Sequence, residues 1–399
     1  MWSIALVGLV VSRISATLIS AILSVAIGWH LYQATGNAFD LALVGLVQIV
    51  PIIVFTIPAG WVADHVPRRT VLQLTSLLQL GVIIAIALIM SAEQLHTWQL
   101  FIALGFLGTS RAFFAPAIQS VLPHIVPANQ MNRAVALISL VWNIALTVGP
   151  FIAGALLVWL DHSLYWSLLI LSVITLTGFY LLPSINVNTG RQLNIDELLG
   201  GIRYLKKNRT VLGAISVDMA IVLAGSVTAI LPIFVSDVLH SGPETLGLLR
   251  AMPALGATIV GTLLTKRKRN ITNNGKVLYL ALTVFSLSIL AFAFAHTTWL
   301  AALALLIYGG ADMFSVVIRG TIVQLLTPDL LRGRVSAVNA LFIACSNDLG
   351  DFRAGAASAL VGTVYGAAIG GVMALGIVAM SARMFPTLRH LKEVKPPEN

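Results

Sequence analysis

Gly60-Trp61-Val62-Ala63-Asp64-His65-Val66-Pro67-Arg68-Arg69 is a short polar stretch set between two apolar runs, 41–63 and 70–90. Crossing the roughly 30 Å hydrocarbon layer takes an α-helix about 20 residues at 1.5 Å each, and both runs are that long. The stretch therefore reads as a tight connection between two membrane-spanning helices, with Asp64 and the Arg pair placed where the chain leaves lipid. Similar runs recur along the whole chain. Of its 399 residues 58% are hydrophobic and 10% charged, and the mean hydropathy is +0.94. A soluble domain carries about 25% charged residues. Backbone groups in lipid must be satisfied within their own segment, so the runs are predicted to be helices; the period-2 alternation of a lipid-facing barrel is absent. The expected fold class is an all-α polytopic membrane protein.

A net charge of +9 invites a nucleic-acid reading, but its distribution argues against one. Nineteen of the 24 Lys and Arg fall in alternate connections (64–69, 123–133, 183–209, 266–276, 332–334) or in 383–395. The intervening connections hold none and carry Asp40, Glu93, Asp161, Asp237 and Glu244 instead. This is the positive-inside pattern. It predicts an inner (plasma) membrane protein with both termini cytoplasmic and its basic loops against anionic headgroups. About twelve spans preserve that alternation: 3–31, 41–63, 70–90, 98–122, 133–160, 164–182, 210–236, 244–265, 276–295, 299–326, 335–359 and 363–385. The first is too long for a signal-peptide core and reads as a retained helix. The single cysteine, Cys345, rules out an intramolecular disulfide.

The longest connection, 183–209, contains Asn194-Ile-Asp-Glu197, a helix cap with an acidic first turn, followed by Leu198, Leu199, Ile202 and Leu205 at helical spacing. A short amphipathic helix on the membrane surface is expected there. The two sides of this linker repeat each other. At an offset of 201, Gly60 meets Gly261, Arg68 meets Arg269, Gly108 meets Gly309 and Pro127 meets Pro328. Arg133 meets Arg334, Gly149 meets Gly350 and Gly154 meets Gly355. Matched Gly, Pro and Arg punctuate structure rather than fill it. The expected organisation is an N-terminal six-helix bundle (1–182), the linker, and a C-terminal six-helix bundle with a short tail (210–399).

The opening stretch resembles the signature of the major facilitator superfamily, Gly-x-x-x-Asp-Arg-x-Gly-Arg-Arg: Gly60, Asp64, Arg68 and Arg69 match, while His65 and Pro67 depart from it. Ser346-Asn347-Asp348-Leu349-Gly350-Asp351-Phe352-Arg353-Ala354-Gly355 resembles a segment of the branch that includes enterobactin exporters and related drug/proton antiporters. Both acids are shorter here than the family's Glu. Trp29-His30-Leu31-Tyr32 and Arg111-Ala112-Phe113-Phe114-Ala115-Pro116-Ala117 resemble the first and fourth helices of that branch. Gly149-Pro150-Phe151-Ile152-Ala153-Gly154 resembles the fifth-helix motif of antiporters; physically, Gly149 and Gly154 permit close helix approach and Pro150 bends the helix. The resemblance implies two halves with a substrate site between them near the midplane, alternating access, and a gate in which Asp64 reaches the start of helix 11 at Arg332-Gly333-Arg334.

Five Arg (13, 111, 250, 319, 353) and four Asp (218, 312, 348, 351) fall within or near the spans. A charge at mid-bilayer costs roughly 2.5–3.5 kcal/mol on insertion scales, and such residues usually face a protein or aqueous interior. In the resembled fold helices 1, 4, 7 and 10 line the cavity. Arg13 and Arg111 would then supply a basic N-terminal wall, and Asp218 and Asp312, the latter matched to Arg111 at the 201 offset, an acidic C-terminal one. The two readings left open are a proton-loading site and a set of fixed interhelical salt bridges. Asp348 and Asp351 share a helix face and read either as a coupled carboxylate pair, balanced by Asn347 and Arg353, or as a structural cluster. Phe113, Phe114, Phe314, Phe342 and Phe352 are candidate substrate contacts or plain packing. His30 reads as interfacial, since no second His or Cys stands at ligand spacing.

No phosphate loop, Gly-x-Ser-x-Gly or His-Glu-x-x-His occurs in the chain. The expectation is a secondary transporter rather than an enzyme, without metal or organic cofactor. It is read as a monomeric proton-coupled exporter of a small amphipathic molecule such as a siderophore or drug. An importer on the same fold, for instance of a ferric siderophore, is the alternative, and a non-transporting membrane sensor a more distant one.

Overall fold

The computed structural model describes residues 3–92, 95–184, 203–266 and 273–392, with the side chains at 57, 64, 128, 132, 329, 330 and 337 outside that description. Twelve long helices run through these residues: α1 (Ile4–Thr35), α2 (Ala38–His65), α3 (Arg68–Met90), α4 (Thr97–Ile125), α5 (Met131–Leu160), α6 (Leu164–Tyr180), α7 (Arg209–Gly225), α8 (Pro243–Lys266), α9 (Asn274–Ala293), α10 (Thr298–Leu326), α11 (Asp329–Val361) and α12 (Thr363–Met384). Among the described residues ten helical runs are long and apolar enough to cross a membrane, one of which, Arg133–Tyr180, takes in both α5 and α6. α11 falls outside that set; it carries Arg332, Arg334, Asp348, Asp351 and Arg353.

Local chemistry sets the helix ends. Ser3 Oγ accepts from Leu6 N at 3.2 Å, Asn208 Oδ1 from Val211 N at 3.2 Å, and Thr297 Oγ1 from Leu300 N at 3.4 Å. Gly36 ends α1 at φ +60° and donates its N–H to Tyr32 O. Gly362, at φ +86°, is the whole turn between α11 and α12, a backbone conformation that a side chain would strain. α7 departs from the single span expected over 210–236. It stops at Ser226, which is extended at ψ 135°, and resumes as a 3₁₀ turn, a short helix and a π turn up to Val238. Pro232, which has no N–H to donate, sits in the restarted segment. Of the expected linker helix, 194–202 lies outside the described residues; 203–207 are helical, Leu205 is buried, and the Tyr204 hydroxyl donates to Leu326 O.

The chain forms two compact units. The first comprises Met1–Gly36, Leu43–Leu193 and Ser241–Ala251. Its core at one end packs Leu9, Leu72, Ala117, Val121, Phe179 and Leu182. Lipid supplies no hydrophobic drive between helices, so close packing must hold them. Ser12 Oγ donates to Thr175 O at 2.8 Å between α1 and α6, and Gly149 brings α5 against Ala21 of α1. At Gly154 a Cβ would stand 2.9 Å from Pro243 O and 3.1 Å from Gly247 Cα.

The second unit comprises Asn37–Ala42, Asn194–His240 and Met252–Asn399. Here Gly309 of α10 lies on the backbone of Pro253 in α8, and Gly370 of α12 on Ala224 O of α7. At Gly355 a Cβ would stand 2.8–2.9 Å from Ala42. The Gly154–Pro243 and Gly355–Ala42 contacts correspond at the same offset of 201, one inside each unit. The internal repeat is thus a repeat of helix contacts as well as of residues. Trp159 and Trp299, 80% and 78% exposed near helix ends, are placed as interfacial anchors.

Candidate functional site

Asp218 sits on α7 with 8% of its side chain exposed. Its Oδ2 lies 3.3 Å from Arg319 Nε, and its Oδ1 accepts from Ser315 Oγ at 2.8 Å. Arg319, also buried, donates from Nη1 to Asn339 Oδ1 of α11 at 2.9 Å. Asp312, Ser315 and Arg319 follow one another at helical spacing, i, i+3 and i+7, on one face of α10. Asp312 interacts electrostatically with both Asp218 and Arg319. One buried guanidinium is thus paired with Asp218 of α7 and Asn339 of α11, with Asp312 of α10 within electrostatic reach of both charges, inside the second unit. Tyr308, one turn before Asp312 and stacked on Phe285 at 4.3 Å between centroids, is within electrostatic reach of Asp312, Asp351 and Arg353.

The α11 segment does something different. Arg353 donates to three backbone carbonyls: from Nη2 to Ser226 O at 2.8 Å, from Nε to Leu223 O at 3.3 Å, and from Nη1 to Gly366 O at 3.4 Å. The first two belong to the broken end of α7, where carbonyls lose their helical partners. A cation there also complements the helix dipole. Ser226 Oγ donates to Asp351 Oδ1 across the same break. Gly350 fits against Ser226 and Val222 O, each about 3.0 Å from where a Cβ would be. Asp351 and Arg353 are thereby brought together at the break. Asp348 is half-buried and faces Cys345 electrostatically, Phe342 is half-buried, and Asn347 is exposed.

In the first unit Arg111, exposed, donates from Nη1 to Gln48 Oε1 at 2.8 Å, and Arg13 is half-buried on α1. Phe113 packs on Phe55 at 5.6 Å and Phe114 on Phe179 at 6.0 Å, both on the rim of the core. Phe314 lines an apolar cavity of about 350 Å³ with Gly256, Val260, Ala281 and Leu306. In the opening stretch Arg69 lies over the Tyr180 ring at 5.8 Å, His65 stacks on Trp61 at 4.6 Å, and Arg68 buries its Nε and Nη1. A Cβ at Gly60 would meet nothing within 4 Å. The Asp64 side chain is outside those described; Arg334 is half-buried in the second unit. Pro150 lies within α5, its carbonyl against Gly247.

Sequence reasoning placed Arg319 only among the intramembrane charges, without its partner, and assigned no role to Ser315, Asn339 or Ser226. Arg319 and Ser315 were readable from the spacing after Asp312. Asn339 and Ser226 were not, because each meets its partner through tertiary packing.

The model of the family described as transmembrane secretion effector matches residues 6–397. Macrolide efflux protein A of Streptococcus pyogenes is 24% identical over 258 residues, covering 61% of this chain and 62% of that protein, less than two thirds of its length. Enterobactin exporter EntS of Escherichia coli is 23% identical over 303 residues, covering 74% of this chain and 72% of that protein. Among solved structures, the nucleoside transporter NupG aligns over 97% of this chain and 100% of that one at a TM-score of 0.70, with 14% identity.

Proposed function

Since the chain belongs to the transmembrane secretion effector family of the major facilitator superfamily, we propose that it is a proton-coupled exporter of a small amphipathic molecule, a siderophore or a drug. That it is a transporter and not an enzyme follows from the family; direction, substrate and coupling ion are our reading. The observation that carries the coupling is the charge count around Arg319: one buried guanidinium and two carboxylates, Asp218 buried and Asp312 half-buried. Such a set is neutral only with one proton bound, and an uncompensated charge at this depth is costly. Asp218 is the acid paired directly with Arg319, so Asp312 is the one that takes up and releases the proton. Rocking of the halves 1–182 and 210–399 would change its exposure and its distance from Arg319. Asp64, Arg68 and Arg69, with Arg334, serve as the gate on the cytoplasmic side. Arg13 and Arg111 face the substrate in the N-terminal half, and the protein works as a monomer in the inner membrane.

The test uses purified protein in vesicles with an imposed pH gradient, presented with a panel of siderophores and cationic dyes. Substrate movement against the proton gradient, lost in Asp312→Asn while binding persists, is the expected result. Undiminished coupling in Asp312→Asn would remove that residue as the carrier, and movement of substrate with the protons would reverse the direction.

A further inference from the structure

Far from the Asp312 cluster in sequence and in a different unit, the end of α1 meets the turn between α5 and α6. His30 is 4% exposed there, packed beneath the exposed Asp161 and His162 of the turn. Its Nδ1 lies 2.9 Å from the Tyr165 hydroxyl, and its Nε2 lies 2.9 Å from Asp161 Oδ1. His162 Nε2 stands 3.9 Å from Asp161 Oδ2, with its ring 4.2 Å from that of His30. One ligand atom from each of His30, Asp161 and His162 falls within 4.8 Å of the other two. Asp161 holds this position at φ +46°, a backbone conformation rare for a residue other than glycine.

We propose that His30, Asp161 and His162 form a binding site for a divalent first-row transition metal such as Zn²⁺ or Co²⁺. The transport reading makes no use of these residues. Three features carry the assignment. First, the donor set is two imidazoles and one carboxylate, the ligand types such ions take. Second, Tyr165 occupies Nδ1 of His30. If Tyr165 donates to Nδ1, Nε2 carries the proton aimed at Asp161 Oδ1, and a metal displaces that proton on binding; if Nδ1–H donates to Tyr165, Nε2 can take the metal once any proton on it is lost. A fixed partner on the distal nitrogen is also what orients a ligating imidazole. Third, one ligand distance is already the one required. Metal–ligand bonds of about 2.0–2.2 Å place ligand atoms about 2.9 Å apart at a right angle and about 3.4 Å apart in a tetrahedron, and His30 Nε2 and Asp161 Oδ1 stand 2.9 Å apart. His162, whose ring is stacked on His30 and whose Nε2 is 3.9 Å from Asp161 Oδ2, has to turn out of that stack to complete the set, and at 50% exposure it is free to do so. On the charge pattern of the loops, this end of α1 is the outer one, open to metal outside the cell.

The test takes full-length, tag-free protein in detergent, equilibrates it with Zn²⁺ or Co²⁺, and measures bound metal, melting temperature and the visible spectrum of Co²⁺. One ion per chain, a raised melting temperature and Co²⁺ bands of four-coordinate character are expected. His162→Ala leaves the His30–Asp161–Tyr165 hydrogen bonds in place and is expected to weaken binding by about tenfold or more; Asp161→Asn is expected to do the same. Absence of binding at micromolar metal would overturn the proposal. So would stoichiometric binding that neither substitution alters, since the ion would then sit elsewhere.

Discussion

Arg319 is shared between two helices: its Nε stands 3.3 Å from Asp218 of α7, and its Nη1 donates to Asn339 of α11 at 2.9 Å. Removing Asp218 therefore takes away the acid paired directly with a buried guanidinium and leaves it only the more distant Asp312. Breaking one side of a buried pair typically costs about 3–5 kcal/mol, whereas removing both charges is often close to neutral. Asp218→Asn and Arg319→Gln are each expected to lower the melting temperature in detergent markedly. The double variant is expected to recover more than half of that loss. Additive losses in this double-mutant cycle would show that the two side chains do not stabilise each other.

Arg353 is held by Ser226 O, Leu223 O and Gly366 O, and this fork ties α11 and α12 to the break in α7. A lysine presents one compact ammonium and cannot reach three separated carbonyls at once. Hydrogen bonds from a charged group contribute about 1.5–3 kcal/mol each, so losing part of the fork is expected to cost about 2–4 kcal/mol. Arg353→Lys should thus melt well below the wild type; Gly370→Ala should also destabilise, because a Cβ there would stand 2.7 Å from Ala224 O and 2.8–2.9 Å from the guanidinium nitrogens. A melting temperature unchanged in Arg353→Lys would show that the fork does not stabilise the break.

The fold was legible because lipid imposes a plain rule: apolar runs become helices, and charge settles in the alternate loops. The repeat was legible because Gly154 and Gly355 carry the same helix contact in each unit, so both positions keep the same small residue. The break in α7 was not, since its apolar run continues through Ser226 and only Pro232 hints at an interruption. At the candidate site the charges stood out individually, as every charge in an apolar run does. Their partners did not: Asp218 and Arg319 lie 101 positions apart in the numbering, and His30 and Asp161 are 131 apart. For that reason the Tyr165 and Asp161 partners of His30, and the backbone carbonyls that Arg353 caps beside Asp351, were not legible in the sequence.

Small residues at the two repeated crossings make a paired prediction. Replacing Gly by Ala inside a helix gains up to about 1 kcal/mol from propensity alone. Overpacking against backbone costs about 1–3 kcal/mol, and at Gly154 and Gly355 the obstruction includes backbone atoms of Pro243 and Ala42. Gly154→Ala and Gly355→Ala are expected to destabilise. Gly81→Ala on α3 and Gly376→Ala on α12, where a Cβ meets nothing within 4 Å, are expected to be neutral or mildly stabilising. Thermal melts of the four variants check this, and equal behaviour of both pairs would mean the crossings are not close-packed.

The turn between α5 and α6 gives a pH dependence with a definite sign. Burial pushes the Asp161 carboxyl up, but the hydrogen bond from His30, the nearby His162 and the His162 backbone N–H outweigh it and hold the group below its usual range. A depressed carboxylate stabilises the fold at pH values above its unfolded pKa, about 3.9, and that stabilisation fades as pH falls through the lower folded value. With a side chain 72% exposed, the contribution is screened and expected to stay below about 1 kcal/mol. The difference in melting temperature between wild type and Asp161→Asn should therefore be small and positive near neutrality and should shrink below about pH 4. Taking the difference cancels the general effect of acid on the rest of the chain. A gap that stays constant across that range would mean that the carboxylate charge is not what holds the end of α1 to the turn.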